Sequence, residues 1–163
     1  MIASLAQKLD RETGSMLRSI PSDKKYIASK KKVTYMELFS DRMLLIQVIR
    51  QGVPYSFFNL IQDYTPFTET DWAELLNIST KSLQRYKQTS KQFKSIQSEK
   101  IIEMAEVTNV GLDVFGDMNK FKLWLDTPNY SLGSLKPIEL LKDSYGKEMV
   151  LGELTRISHG ILV

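Results

Sequence analysis

Apolar residues recur at three- and four-residue spacing along most of this 163-residue chain, and no stretch alternates apolar and polar positions between turn signals. That pattern predicts helices and no strand. The most informative stretch is 68–87. Thr68 is placed to cap a helix, with Asp71 three residues on, where an acid favours the unpaired amides of the first turn. Ala73 and Leu76 face inward. Asn77 tolerates the left-handed conformation of a tight turn, and Ser79 caps a second helix. On that helix Leu83 and Tyr86 return at helical spacing, able to pack back on Ala73 and Leu76. A small residue, a turn residue four later and an aliphatic six after that form the pattern of a helix-turn-helix, with Asn77 standing where glycine is commoner.

The flanking segments read as further helices. Residues 1–32 are weakly patterned, with Ile2, Leu5 and Leu9 enough for one or two amphipathic turns. From Tyr35 to Gln51 a single helix is expected, with Met36, Phe39, Met43, Ile46 and Ile49 or Arg50 on its apolar rhythm and Gly52 as its stop. Pro54 opens a helix through Phe57, Phe58, Leu60 and Ile61. After a polar, basic link at 88–97, Ser98 is placed to cap a helix bearing Ile101, Ile102, Ala105 and Val107, which ends near Val110 and resumes to Phe115. Asp117 can cap a short helix with Phe121, Trp124 and Leu125 on one face; a loop at 129–134 contains Gly133. Pro137 starts a helix through Ile138, Leu140 and Leu141 that Gly146 breaks. The last helix is expected over 147–159, with Val150, Leu154 and Ile157 inward and Gly160 as a left-handed cap. The fold class is therefore all-α, with eight or nine short helices. Residues 1–34 read as a variable N-terminal segment able to stay mobile, 35–97 as a helix-turn-helix domain and 98–163 as a small helical domain.

Composition narrows the function. No apolar run reaches the length of a membrane span, and residues 1–9 do not form a secretory signal, so a cytoplasmic protein is expected. With no cysteine and one histidine, His159, neither a disulfide framework nor a metal site is expected, and no cofactor. Gly111 and Gly116 form a Gly-x-x-x-x-Gly, but Asp117 follows in place of the lysine a phosphate loop needs. The pairing of Glu103 with Glu106 is the ordinary spacing of exposed helix acids, and no base stands beside a nucleophile, so no catalysis is assigned.

Charge is uneven. Residues 79–100 hold six Lys or Arg against one acid, whereas residues 101–163 hold six against nine. A chain whose middle meets a polyanion and whose end meets something else would be divided in this way. The outward positions of the second helix, Ser79, Thr80, Lys81, Ser82, Gln84, Arg85 and Lys87, carry hydroxyls, amides and cations suited to phosphates and base edges of operator DNA. Such a face is also an ordinary solvated one. Lys30, Lys31 and Lys32 could touch phosphates too, although a triple lysine is commonly a solvated tail.

An ordered series of residues resembles the Xre/MbcA/ParS family of toxin-binding antitoxins. Val48-Ile49-Arg50-Gln51-Gly52-Val53-Pro54 resembles the break before its helix-turn-helix, and Ser79, Ser82, Leu83 and Arg85 its second helix. Val114-Phe115-Gly116-Asp117, Trp124-Leu125, Pro128-Asn129, Leu132-Gly133, Pro137, Leu140-Leu141, Gly146, Leu154, Arg156-Ile157 and His159-Gly160 resemble its toxin-binding domain. Two departures are Ser134, where a second glycine is frequent, and Lys142-Asp143 in place of an acid–threonine pair. The first forty residues lie outside the resemblance.

The resemblance implies an Xre-like helix-turn-helix domain followed by a toxin-binding domain, in an antitoxin that neutralises a toxin encoded beside it. It further implies a RES-domain toxin that consumes NAD, repression of the chain's own promoter, and a homodimer. The toxin-facing residues would be Trp124, Asn129, Leu132, Gly133, Arg156, His159 and Gly160, with Ile161, Leu162 and Val163 either plugging the partner or closing their own domain. The alternative is a stand-alone helix-turn-helix regulator whose C-terminal module dimerises or binds a ligand.

Overall fold

The computed structural model describes residues 4–21 and 32–160. Its elements are α1 (Leu5–Arg18), α2 (Tyr35–Phe39), α3 (Arg42–Gln51), α4 (Tyr55–Tyr64), α5 (Glu69–Leu76), α6 (Thr80–Thr89), α7 (Ser95–Phe115), α8 (Met118–Leu125), a 3₁₀ turn (Tyr130–Leu132), α9 (Pro137–Leu140) and α10 (Ser144–Ser158). The described residues hold no strand, only isolated bridges at Pro54–Gln92 and Asn129–Leu135. None of their helices is long and apolar enough to cross a membrane. They pack as two units: one contains the residues up to Tyr64 together with Ile78–Ile102, the other Thr65–Asn77 and the residues from Glu103 onward.

In the first unit the weak N-terminal pattern conceals a fourteen-residue helix, much longer than the expected turn or two. Ser4 and Gln7 close a reciprocal capping box, and Leu9, Thr13, Met16 and Leu17 are buried as α1 packs on α2 and α4. Asp10 Oδ1 accepts the Tyr35 amide at 2.8 Å, and the Ser56 hydroxyl donates to Glu12. Ile2, Lys30 and Lys31 lie outside the described residues.

The single helix expected over 35–51 is two. Thr34 and Glu37 cap α2, Asp41 Oδ1 accepts the Leu44 amide at 3.2 Å, and this second cap restarts the chain as α3. The apolar phase differs as well. Met36 and Met43 are 54% and 50% exposed, and the buried residues are Tyr35, Leu38, Leu44, Leu45 and Val48. Apolar side chains lie on several faces of this segment, so periodicity identifies a helix without choosing its inner side. Tyr35 packs against Phe39, Phe57 and Tyr64; burial first, and Tyr64 second, push its phenol well above the usual range, so it stays neutral.

Gly52 does end α3, but tertiary contact constrains it further. Its φ is +96°, and a Cβ there would stand 2.5 Å from the Phe93 carbonyl oxygen. The Phe93 amide donates to Val53 O at 2.9 Å, drawing the α6–α7 link against the start of α4. Ser98, expected as a helix cap, is instead fully buried inside α7, which begins three residues earlier.

In the second unit, Thr68 caps α5 as expected, and Asp71 goes beyond the expectation by closing a reciprocal box with it; α5 buries Trp72, Ala73, Leu75 and Leu76. Helix α7 runs unbroken through Gly111, where the Phe121 ring presses so closely that a Cβ would lie 2.3 Å from it. Gly146 does not break a helix either. It is the third residue of α10, and a Cβ there would meet Leu140 O at 1.9 Å, so α9 and α10 approach through it. Glu103 and Glu106 are not free surface acids: Lys147 lies 3.9 and 3.3 Å from them and ties α10 to α7.

Candidate functional site

Helix α6 is capped as its sequence predicts. Ser79 Oγ accepts the Ser82 amide at 3.0 Å and also lies 3.0 Å from the Ser82 hydroxyl, so these two candidate residues satisfy each other. Asn77 adopts the left-handed conformation, φ +54° and ψ +46°, which places the turn before Ser79. Leu83 is buried. Tyr86, half-buried, stacks on Phe93 with centroids 4.4 Å apart, and Phe93 in turn packs on Phe58 and Tyr55. With one side held by Leu83 and Tyr86, α6 leaves Thr80, Lys81, Gln84, Arg85 and Lys87 exposed. No acid lies among them. The exposed face can donate hydrogen bonds and positive charge to a polyanion from a helix whose inner face is anchored.

The candidates of the second unit fall into different settings. Trp124 is half-buried in an aromatic row with Phe115 and Phe121. Asn129 organises its own loop: Oδ1 accepts the Ser131 amide at 2.9 Å, and its carbonyl accepts from Leu132 and Ser134 at 3.0 and 2.9 Å. Leu132 is buried under that loop, and Gly133 is an exposed left-handed turn residue with φ +71°. Arg156 lies 3.6 Å from the largely buried Glu153. His159 Nδ1 lies 2.8 Å from Thr155 O at the end of α10, and Gly160, φ +72°, takes the expected left-handed conformation. Ile161, Leu162 and Val163 lie outside the described residues.

The same unit exposes large apolar side chains that the named toxin-facing residues do not include: Leu123, Tyr130, Leu135, Tyr145 and Met149. Tyr130 and Tyr145 are 87% and 83% exposed. Tyr145 and Met149 stand one turn apart on α10, on a stripe distinct from the buried Val150 and Leu154. That second i, i+4 pair was visible in the sequence, but a search for the core stripe alone overlooks it.

A polar, capped helix after a left-handed turn, in an all-helical chain with a further small helical module, defines a helix-turn-helix protein with an appended domain. Comparison with known proteins gives the class its family. Residues 44–106 match the antitoxin Xre-like helix-turn-helix domain, and residues 111–160 match the antitoxin Xre/MbcA/ParS C-terminal toxin-binding domain. The antitoxin Xre of Photorhabdus laumondii is 27% identical over 116 residues, covering 71% of this chain and 78% of that protein. The antitoxin Xre of Yersinia enterocolitica is 26% identical over 119 residues, covering 72% and 80%. Among solved structures, a chain of the M. tuberculosis MbcT–MbcA toxin–antitoxin complex superposes with a TM-score of 0.50 at 22% identity, over 60% of this chain and 86% of that one, a likeness of fold. The chain belongs to the Xre/MbcA/ParS family of antitoxins, with an Xre-like helix-turn-helix domain followed by a toxin-binding domain.

Proposed function

We propose that this antitoxin acts at two surfaces: it represses its own promoter through α6 and neutralises a cognate RES-domain, NAD-consuming toxin through the residues after Gly116. The observation that carries the first part is the exposed, acid-free face of α6, anchored by Leu83 and by the Tyr86–Phe93 stack. The second part is supported by the family's toxin-binding domain at 111–160 and by the exposed Tyr130, Tyr145 and Met149 within it. Exposed aromatic and methionine side chains suit a protein interface, where they are enriched. The MbcT–MbcA match, a toxin with its antitoxin, is consistent with that assignment. One helix-turn-helix covers only a half-site, so a homodimer on a near-palindromic operator belongs to the same reading.

In this reading Arg85 meets a base edge and Lys81 a phosphate. Gel shifts on the upstream promoter test it. Arg85→Ala should weaken specific binding by about 1–3 kcal/mol, and Lys81→Ala should weaken binding to all sequences and flatten its salt dependence. Wild-type affinity in the double variant would refute the assignment of α6. Co-expression with the neighbouring toxin gene, followed by co-purification and an NAD assay, tests the partner. A toxin that leaves NAD intact would remove the RES assignment and leave the antitoxin role standing.

A further inference from the structure

Beside α6 lies an open cleft of about 330 Å³ bordered by Ser82, Arg85, Tyr86, Thr89, Lys91 and Lys94. The chain reaches it because α6 stops at Ser90, which takes the left-handed conformation with φ +50° and turns the link back along the helix. Phe93 is then buried under Tyr86, which holds Lys91 and Lys94 on either side of a fixed point. The two aliphatic hydroxyls here are already committed: Thr89 donates to Arg85 O at 2.8 Å, and Ser82 is bonded to Ser79. The three cations are not committed. Among the described residues none makes an ion pair, and no acid borders the cleft.

We propose that this cleft seats a phosphate of the DNA backbone, with Lys91 and Lys94 as its cationic walls, and so fixes how α6 lies along the groove. The proposal rests on the assignment of α6 to DNA and extends the interface beyond that helix. Three like charges around one concavity repel one another, and an anion between them removes that cost. Duplex DNA is the polyanion whose phosphates accompany every groove-bound helix, and phosphate contacts set the register of such a helix. Arg85, at the lip, is shared between the cleft and the exposed face of α6. Lys91 and Lys94 belong to the cleft alone, and they make the test specific.

The experiment uses the full chain, with Lys91→Gln/Lys94→Gln as the variant and Lys91→Arg/Lys94→Arg as its charge-preserving control. Anisotropy titrations on the promoter duplex and on an unrelated duplex, each between about 50 and 200 mM salt, report affinity and its salt slope. The glutamine variant should lose affinity equally on both duplexes, and its slope should fall by about 1 for each phosphate it no longer neutralises, with the arginine control unchanged. An unaltered slope in a variant that keeps wild-type helical signal would overturn the proposal while leaving α6 in place. A loss confined to the promoter duplex would also overturn it, since that marks base reading. If inorganic phosphate raises the melting temperature of the wild type but not of the variant, and duplex binding is unchanged, the ligand is free phosphate and the DNA assignment fails. Absence of duplex binding by the wild type at low salt removes the reading of α6 and this proposal together.

Discussion

Ser98 Oγ accepts the Val53 amide at 2.8 Å, across forty-five positions of sequence. The same hydroxyl lies 3.3 Å from Phe93 O, so one buried side chain ties the α3–α4 junction to the start of α7. Ser98→Ala leaves the Val53 N–H buried without its acceptor. We expect a loss of about 1–3 kcal/mol, read as a lower urea midpoint at unchanged m-value. A midpoint equal to wild type would show that water or another group replaces the hydroxyl.

Two glycines of α10 should respond oppositely to alanine. At Gly146 a Cβ meets Leu140 O at 1.9 Å, a backbone atom that cannot step aside cheaply. Gly146→Ala should cost about 3 kcal/mol or more by overpacking. At Gly152 nothing lies within 4 Å, so Gly152→Ala should stabilise by about 0.5–1 kcal/mol through helix propensity and a less flexible unfolded chain. Equal melting shifts for the two variants would contradict the close approach of α9 to α10.

Ser134 carries φ +62° directly after Gly133 at +71°. The left-handed conformation costs a side-chain-bearing residue about 1–2 kcal/mol, and glycine in its place gives back about 0.4–1 kcal/mol to unfolded-state entropy. Ser134→Gly should therefore raise stability by about 0.5 kcal/mol, measurable as a small upward shift in Tm. A fall in Tm would mean that the serine makes a compensating contact.

Tyr130 and Tyr145 bury little in the free chain, so alanine at both should move stability by no more than about 0.5 kcal/mol. If the toxin covers them, each substitution should weaken the complex by more than about 1 kcal/mol in calorimetric titration against the purified toxin. Undiminished affinity in the double variant would move the toxin interface elsewhere on the chain.

The local grammar of the chain was legible from sequence because its partners are local. Ser79, Thr68 with Asp71, and Asp117 cap the helices they were expected to cap, each through an amide three residues away, and Asn77 and Gly160 take the left-handed conformations their types favour. The all-helical class followed from the apolar periodicity and that grammar, and the family from the resemblance of an ordered series of residues. What tertiary structure alone decided involves distant partners. The inward face of α2 and α3 could not be chosen while apolar residues lay on several sides; the split between them is local, since Asp41 caps α3 through the Leu44 amide, but the continuous apolar rhythm masks it. Ser98 reads as a cap until Val53 is brought to it, Gly146 reads as a break until Leu140 is laid against it, and Glu103 with Glu106 reads as free surface until Lys147 arrives. Lys91 and Lys94 read as part of a polar, basic link, and only the burial of Phe93 under Tyr86 turns that link into a wall beside α6. Caps and turns are satisfied within one turn of helix, so sequence specifies them. Close approach, burial and shared charge depend on which segments meet, and only the folded chain determines that.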